Sequence, residues 1–315
     1  MKKICILGYK FYEYEKEIID SFSKKYNVIF IDYSINFFEF FLCKVFGKYL
    51  KNYILNKKIS KKIETDVDIL FCMSGKELSK ENMIYIFKII PKSKKILYLW
   101  DDCKRVQNVL EIREYFDKIL SFDYSDCIKY GFRYRPAFYS SRLKKIDNFQ
   151  PEINLFFIGV YREERLEFLK NLYGDGNFIY LYYPKHFFYL LRILKKRGFE
   201  NIDIKYINFK QIDKQKYNQL FINSKYIIDI PDKNQSGFTQ RILDAIYLEK
   251  KIITTQLNVK NEKFYNENNI LVIDSKKEID LRSSFFKTEY QKISKEIINY
   301  YSIETWTKEI LEGED

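Results

Sequence analysis

The sequence predicts an α/β protein with two Rossmann-like, doubly wound parallel sheets. Apolar strand patterns alternate with helical patterns along nearly the whole chain, as in parallel sheets with crossover helices. The alternation is interrupted once, by a polar, linker-like stretch at 140–151. The 315 residues are enough for two domains of ordinary size. We therefore expect domains at 1–145 and 150–290 that face each other across a cleft, and closing helices at 291–315 that pack back toward the first domain.

The first half of the chain contains five apolar runs that predict strands. They lie at 4–7, 27–32, 68–73, 95–100 and 118–122. Helical patterns follow these runs at 13–24, 36–62, 79–89, 106–115 and 125–130. The segment 135–139 is expected to be extended.

The second half repeats the alternation. Strands are predicted at 155–159, 177–182, 202–206, 226–230, 251–255 and 270–273. Helices are predicted at 162–172, 186–197, 213–224, 238–249, 287–301 and 303–312. Ligands of such sheets bind at the carboxyl ends of the strands, which is where functional residues are expected.

The strand–loop–helix–strand unit at 226–255 carries the most information about function. Its helix is expected to open at Ser236, Gly237, Phe238 and Thr239. Free N–H groups and the positive dipole end at a helix start can hold an anion such as a phosphate. Gly237 would let the backbone approach a ligand closely. An ordinary βαβ crossover with a capped helix is the alternative interpretation.

Two charged side chains follow on this helix. Arg241 lies on its first turn and can offer a bidentate charge to a phosphate. Asp244 lies three residues later, so the two side chains share a face. A carboxylate this close to a bound diphosphate suits the hydroxyl groups of a ribose.

Composition limits the possible partners. The chain has 55 Lys and Arg against 43 Asp and Glu, a net charge of +12, which favours nucleic acid, anionic membrane or phosphorylated substrates. No RNA- or DNA-binding motif is present, so no nucleic acid is expected. With a single His there is no plausible zinc site. Five Cys without a CxxC pair are typical of reduced thiols in a cytoplasmic protein.

The segment 36–62 combines aromatic residues at helical spacing with seven lysines. A basic amphipathic helix of this kind suits the surface of an anionic membrane. It could equally be a core helix with a solvated lysine face. No run reaches the ~18 apolar residues of a transmembrane helix, so we expect a cytoplasmic protein that can lie on the inner face of the cell membrane.

Several segments together resemble one known family. They are LYLWD at 97–101, YFDKILSFDYSDCIKYGF at 115–132, PAFY at 136–139, FFIG at 156–159 followed by Arg162 and Arg165, QSGFTQRILDA at 235–245, KKIITT at 250–255 and FYNENNI at 264–270. Their combination resembles the bacterial glycosyltransferases of capsular and lipopolysaccharide biosynthesis, which have the GT-B plan of two Rossmann-like domains. One departure is Asp244, where that family more usually has Glu.

The resemblance implies a nucleotide-diphosphate sugar, with a UDP-sugar favoured, held mainly by the C-terminal domain. The residues implied in donor binding are Gly159, Tyr161, Arg162, Lys185, Ser236, Gly237, Phe238, Thr239, Gln240, Arg241 and Asp244. A surface ion pair with a neighbouring glutamate is the alternative for Arg162. No cofactor and no metal are expected, because a helix N-terminus and basic side chains neutralise the leaving diphosphate in GT-B enzymes.

Two aspartates are candidates for the catalytic base. Asp101 follows the strand at 95–100, where a carboxylate could take the proton of an acceptor hydroxyl. Asp123 follows the next strand and competes for this role, and helix capping is the alternative for Asp101. The predicted function is sugar transfer to a surface glycan, and a lipid-linked acceptor is expected. The alternatives are a non-catalytic sugar-nucleotide-binding subunit of a glycan assembly complex and a basic nucleic-acid-binding protein.

Overall fold

The structure is a computed structural model that describes residues 1–10, 13–146, 150–174, 176–232 and 235–311. The chain divides into two compact units. The first unit contains Met1–Ser141, the short segment 235–237 and the C-terminal segment from Asn299. The second unit contains 142–232 and 238–298.

The described residues of the first unit form one sheet of parallel strands. The strands are β1 (Lys3–Gly8), β2 (Asn27–Asp32), β3 (Ile69–Met73), β4 (Lys94–Leu99), β5 (Lys118–Ser121) and β6 (Arg133–Tyr134). Their order in the sheet is β2-β1-β3-β4-β5-β6, and every neighbouring pair is parallel. All of β3 and all but the first residue of β4 are buried, as expected for strands covered on both faces.

Helices connect these strands. They are α1 (Tyr14–Ser23), α2 (Phe37–Ser60), α3 (Lys80–Ile89), α4 (Val109–Ile112) and α5 (Tyr124–Tyr130). The start of α2 is fixed by a capping box, in which Asn36 accepts from the Glu39 N–H and Glu39 accepts from the Asn36 N–H. The end of α5 is set by Gly131, whose φ of 72° is the left-handed conformation that glycine adopts at low cost.

The second unit has a sheet of the same kind in its described residues. Its strands are β7 (Ile153–Val160), β8 (Phe178–Tyr182), β9 (Ile207–Asn208), β10 (Ser224–Asp229), β11 (Lys251–Thr254) and β12 (Ile270–Val272). They are parallel and lie in the order β12-β11-β10-β7-β8-β9. The helices are α6 (Glu163–Leu169), α7 (Lys185–Ile193), α8 (Lys214–Ile222) and α9 (Gln240–Tyr247), and α10 (Lys295–Tyr300) begins in this unit and ends in the segment from Asn299. Two parallel, doubly wound sheets confirm the predicted fold class.

The last helix, α11 (Ile303–Leu311), belongs to the core of the first unit. Its Trp306 is fully buried and packs edge-to-face on Tyr98 and Phe138, with ring centroids 4.8 and 5.0 Å apart. The guanidinium of Arg135, itself buried, pairs with Glu309 at 2.7 Å. Aromatic packing and the ion pair of the buried Arg135 therefore hold the C-terminal segment on this unit.

Some predicted elements were wrong in detail. The helix expected at 287–301 is helical only in α10, because the carbonyl oxygens of Thr288 and Gln291 accept from the side chains of Lys251 and Asn269. The strand expected at 202–206 is a 3₁₀ turn followed by β9. The helix expected at 36–62 is interrupted by Gly47, with φ 74° and ψ −164°. The helix expected from Phe238 begins two residues later, at Gln240.

Candidate functional site

Each sheet has one topological switch point, where the connections from two neighbouring strands run toward opposite edges of the sheet. In the first unit this point lies between β1 and β3, and in the second unit it lies between β7 and β10. Ligands of open α/β sheets bind outside the carboxyl ends of the strands at such a point. The residues that follow β7 and β10 are therefore the first place to look for a site in the second unit.

Three arginines and two aspartates gather at the carboxyl ends of β7 and β10, and we call them the arginine cluster. Arg162 directly precedes α6, Arg165 lies in α6, and Arg241 lies in the first turn of α9. Arg162 pairs with Asp232 at 2.6 Å, and Arg241 pairs with Asp229 at 3.0 Å. The cluster carries one more positive than negative charge.

Arg165 is fixed by backbone carbonyl groups rather than by a carboxylate. Its Nε and Nη2 donate to the Ile230 carbonyl oxygen at 3.1 and 2.8 Å, and its Nη1 donates to that of Val160 at 2.9 Å. Burial, together with the positive charges of Arg241 and Arg162, lowers the pKa of Arg165 to about 10. An anion bound at this point would reduce the repulsion among the three guanidinium groups.

Asp229 organises the cluster, although the sequence analysis did not single it out. It is fully buried at the end of β10. Its Oδ1 accepts from the Thr239 hydroxyl at 2.6 Å and from Arg241, and its Oδ2 accepts from the Thr254 hydroxyl at 3.2 Å. The sequence does contain one indication of this role: Asp229 ends the apolar run YIID, which places its carboxylate at the carboxyl end of the predicted strand.

Arg241 ties several elements together. Besides its bond to Asp229, its Nη2 donates to the Ile158 carbonyl oxygen at 2.6 Å, and its guanidinium lies 5.1 Å from the centre of the Phe157 ring. Its side chain is 16% exposed. Arg241 is thus mainly a link between β7, β10 and α9, and the remaining exposed part is what a ligand could contact.

The other residues predicted at the start of α9 differ in their surroundings. Thr239 is the N-cap of α9 but gives its hydroxyl to Asp229, and Gln240 is the first helical residue. Asp244 is 1% exposed, so it does not lie on a solvated face of the helix. Phe238 is buried and packs edge-to-face on Phe264. A ribose contact by Asp244 stays a prediction.

Gly159, Tyr161 and Lys185 lie near other strand ends of the second unit. Gly159 is in β7, and a Cβ there would lie 2.9 Å from the Phe157 ring, so the close packing requires glycine. Tyr161 is buried, and its hydroxyl donates to the Gly198 carbonyl oxygen, so it is held within the protein core. Lys185 is exposed at the first position of α7.

Ser236 and Gly237 group with the first unit and surround Asp123. The N–H groups of both residues donate to Asp123 Oδ2, at 2.7 and 3.1 Å, and the Ser236 hydroxyl donates to Oδ1 at 2.6 Å. A Cβ at Gly237 would lie 2.6 Å from the carbonyl oxygen of Phe122. In the structure these N–H groups hold a carboxylate, and the close approach made possible by Gly237 is to Phe122. Their role in donor binding stays a prediction.

The two candidate bases have different environments. Asp123 is 2% exposed and also caps α5 by accepting from the Asp126 N–H at 3.0 Å. Asp101 lies beyond the end of β4 with 28% of its side chain exposed, and Arg105 is 3.8 Å away. Burial raises the pKa of Asp101 above its usual range, while Lys76 and Arg105 act in the opposite direction.

The aromatic residues of α2 form an exposed surface. More than half of each side chain is accessible for Phe37, Phe38, Phe40, Phe41, Phe46, Tyr49 and Tyr53. Lys44, Lys48 and Lys57 lie over rings of this group at 4.9 to 6.0 Å. Only Leu55 and Ile59, near the end of the helix, are buried. No helix in the described ranges is long and apolar enough to cross a membrane.

Known structures match nearly the whole chain. A UDP-N-acetylglucosamine 2-epimerase from Rickettsia bellii is 14% identical, with a TM-score of 0.57 and coverage of 99% of this chain and 95% of that one. A glycosyltransferase from Rickettsia africae is 12% identical, with a TM-score of 0.53 and 99% coverage of both chains. A UDP-forming α,α-trehalose-phosphate synthase from Burkholderia xenovorans is 9% identical, with a TM-score of 0.58 and coverage of 98% and 99%.

These similarities show that the chain has the GT-B fold. No protein-family model matches the sequence, and a comparison with curated protein sequences gives no match. The similar structures include both an epimerase and transferases, so the choice of reaction has to come from the residues of this chain.

Proposed function

We propose that the protein is a glycosyltransferase that moves a sugar from a nucleotide-diphosphate donor to a surface-glycan acceptor of the capsule or lipopolysaccharide type. The observation that carries this proposal is the arginine cluster at the carboxyl ends of β7 and β10. It lies where open α/β sheets bind ligands, and it has an excess of positive charge suited to a diphosphate. A UDP-sugar is the favoured donor, since proteins of the same fold carry UDP in their names.

In the proposed reaction the acceptor oxygen forms a bond to the anomeric carbon of the sugar. The bond from that carbon to the diphosphate oxygen breaks, and the nucleoside diphosphate leaves with the bonding electrons. Arg162 and Arg165 offset the negative charge that develops on the leaving group. No metal is assigned to this step. The hydroxyl proton of the acceptor passes to a carboxylate.

Asp101 is the better candidate for this carboxylate. Its raised pKa makes it a stronger base, and its side chain is partly exposed. Asp123 accepts four hydrogen bonds from Ser236, Gly237 and Asp126, so its lone pairs are already used. We therefore assign proton transfer to Asp101 and a structural role to Asp123.

The acceptor is proposed to be lipid-linked, and α2 to bring the protein to the inner face of the cell membrane. The exposed aromatic rings of α2 and its lysines support this, because such surfaces bind the interface of anionic bilayers. Changing Lys44, Lys48, Lys51 and Lys57 together to Gln is expected to reduce binding to anionic vesicles at low salt and to have little effect at high salt. Equal sedimentation of both proteins would remove α2 from the membrane contact.

The function is tested by measuring release of nucleoside diphosphate from UDP-, GDP- and CDP-sugars, with and without glycan acceptors. We expect release that depends on an acceptor, and a product whose mass has increased by one sugar. Nucleotide binding without turnover would instead indicate a non-catalytic subunit, and a change of sugar configuration without transfer would indicate an epimerase. Binding of nucleic acid without binding of nucleotide would refute the assignment.

A further inference from the structure

The outward face of α7, in the second unit, is apolar. Phe187, Leu190, Ile193 and Leu194 are 57, 49, 77 and 56% exposed. Phe187, Leu190 and Leu194 follow the spacing that places side chains on one stripe of a helix. Phe188 points the other way and is fully buried. The helix therefore has one face in the core and a second apolar face in solvent, which core packing does not explain.

Basic residues border this face. Lys185 begins the helix, Arg192 lies in its last turn, and the exposed residues Lys195, Lys196 and Arg197 follow it. The sequence from 185 to 199 contains no Asp or Glu. Arg197 is 95% exposed, and its contact to Glu163 is 3.8 Å long, so this border remains largely solvated.

This arrangement matches an interfacial helix. Such a helix lies in the plane of the bilayer, inserts its apolar face and keeps basic side chains at the level of the headgroups. Lysine and arginine at the edges can extend along the apolar surface to reach phosphate groups. A stretch of fifteen residues with five Lys and Arg and no Asp or Glu is complementary to an anionic lipid surface and not to a neutral one.

We propose that α7 and the basic segment 195–197 dock the second unit on an anionic membrane. The proposal extends the membrane part of the proposed function, which concerned only α2 in the first unit. Membrane docking through α7 needs no substrate. The two proposals can therefore be tested separately, and either one can be correct when the other is wrong.

The first test is sedimentation of the full chain with vesicles of phosphatidylcholine alone or mixed with phosphatidylglycerol. The apolar variant changes Leu190, Ile193 and Leu194 to Ser, and the charge variant changes Lys195, Lys196 and Arg197 to Gln. The matched controls, in the same unit, change the exposed Leu257 and Leu281 to Ser and the exposed Lys276, Lys277 and Lys287 to Gln.

Both α7 variants are expected to bind anionic vesicles at least about tenfold more weakly than the wild type. The charge variant should lose this difference at high salt, while the apolar variant should keep it. The two controls should bind like the wild type. Circular dichroism and thermal melting establish that each variant is folded. If both α7 variants bind as tightly as their controls, α7 is not a membrane contact.

A second measurement uses the unaltered chain and does not depend on a variant that folds. Hydrogen–deuterium exchange is followed with anionic and with neutral vesicles, and slower exchange is expected at 185–197 with anionic vesicles only. If this segment is unaffected, or if the apolar variant instead abolishes a dimer of the wild type in solution, the proposal is overturned. The dimer result would make the face a contact between two copies of the chain.

Discussion

The two sheets have related topology but opposite charge at their carboxyl edges. In the first unit the strand ends carry Asp101 and Asp123, each beside a second aspartate. In the second unit they carry the arginine cluster. Burial has opposite consequences at the two edges, since it raises the pKa of Asp101 and lowers that of Arg165.

The difference shows how one architecture can supply two kinds of chemistry. Parallel sheets bring the loops after several strands to one edge, whatever the sequence of the loops. A carboxylate with a raised pKa at the edge of the first sheet suits proton transfer, while the arginine cluster at the edge of the second sheet suits a diphosphate. Within each edge one residue supports the structure: Asp123 accepts four hydrogen bonds, and Arg241 pairs with the fully buried Asp229. The more exposed residues, Asp101 and Arg162, are the ones assigned to the reaction.

The largest effect is expected from Asp101→Asn, which keeps the size of the side chain and removes the base. Turnover of the donor in the presence of acceptor should fall by about 10²–10⁴-fold, while nucleotide affinity stays the same. Because the pKa of Asp101 is raised, its carboxylate is protonated at a higher pH than an ordinary aspartate. The activity of the wild type should therefore begin to fall at that higher pH on acidification. Asp123→Asn is the matched comparison, measured by both turnover and thermal melting.

Asp123→Asn is expected to lower the melting temperature, because an amide nitrogen cannot accept the hydrogen bonds that one of the two carboxyl oxygens accepts from its donors. If Asp123→Asn abolishes turnover in a fully stable protein and Asp101→Asn does not, the two roles are reversed. If neither substitution changes turnover, neither Asp101 nor Asp123 is the base. The difference in charge between the two sheet edges would then not explain the proton transfer.

The next largest effect is on stability, and it distinguishes the two arginines that pair with carboxylates, Arg241 and Arg162. Arg241→Ala should lower the free energy of unfolding by about 3–5 kcal/mol, because it removes the guanidinium that pairs at 3.0 Å with the fully buried Asp229. Arg162→Ala should cost about 1 kcal/mol or less, since its side chain is 45% exposed. Urea denaturation measures both values.

Adding Asp229→Asn to Arg241→Ala should recover part of the lost stability, because the buried charge is then removed. An additive loss in the double variant would mean that the two residues do not act as a pair. Equal costs for Arg241→Ala and Arg162→Ala would contradict the division between supporting and ligand-binding arginines.

The smallest effect concerns the opposite edge of the second sheet. Lys250 is buried there and donates to the carbonyl oxygens of Ile222 and Ser224 at 2.7 and 2.6 Å. Burial lowers its pKa from 10.5 to about 7. Between these values the unfolded chain binds a proton that the folded protein lacks, so the free energy of unfolding should rise with pH, by at most about 1.4 kcal/mol per unit.

This rise should be absent in Lys250→Met, measured by urea denaturation from pH 7 to pH 9. The exposed Lys276→Met serves as the control and should keep the slope of the wild type. An identical slope in Lys250→Met would show that other groups cause the dependence.

The fold was predictable because the buried strands are continuous apolar runs, such as those of β4, β7 and β10. The helix predicted at 287–301 was wrong over most of its length. The local sequence pattern could not show the hydrogen bonds that Lys251 and Asn269 form with this segment from elsewhere in the chain. The same limit applied to Asp229, whose partners lie 10 to 25 residues away.

The sequence predicts which edge of the sheet carries the candidate residues, but not the partners of each side chain. Arg162 and Arg241 lie after β7 and β10, as their positions in the sequence indicate, and their role in binding stays a prediction. The sequence could not show that the N–H groups of Ser236 and Gly237 donate to Asp123, more than a hundred residues earlier. Nor could it show that Tyr161 is held by the carbonyl oxygen of Gly198. These contacts depend on tertiary structure.

The most direct test of the account is calorimetric titration of UDP into the wild type and into Arg162→Ala. The exposed Arg282→Ala, in the same unit, serves as the matched control. We predict that Arg162→Ala stays folded and loses about 1.5–3 kcal/mol of binding free energy, the range for a hydrogen bond to a charged group, while Arg282→Ala binds UDP like the wild type. Unchanged affinity in Arg162→Ala, or no binding of UDP, GDP or CDP by the wild type, would contradict the claim that the arginine cluster holds a nucleoside diphosphate.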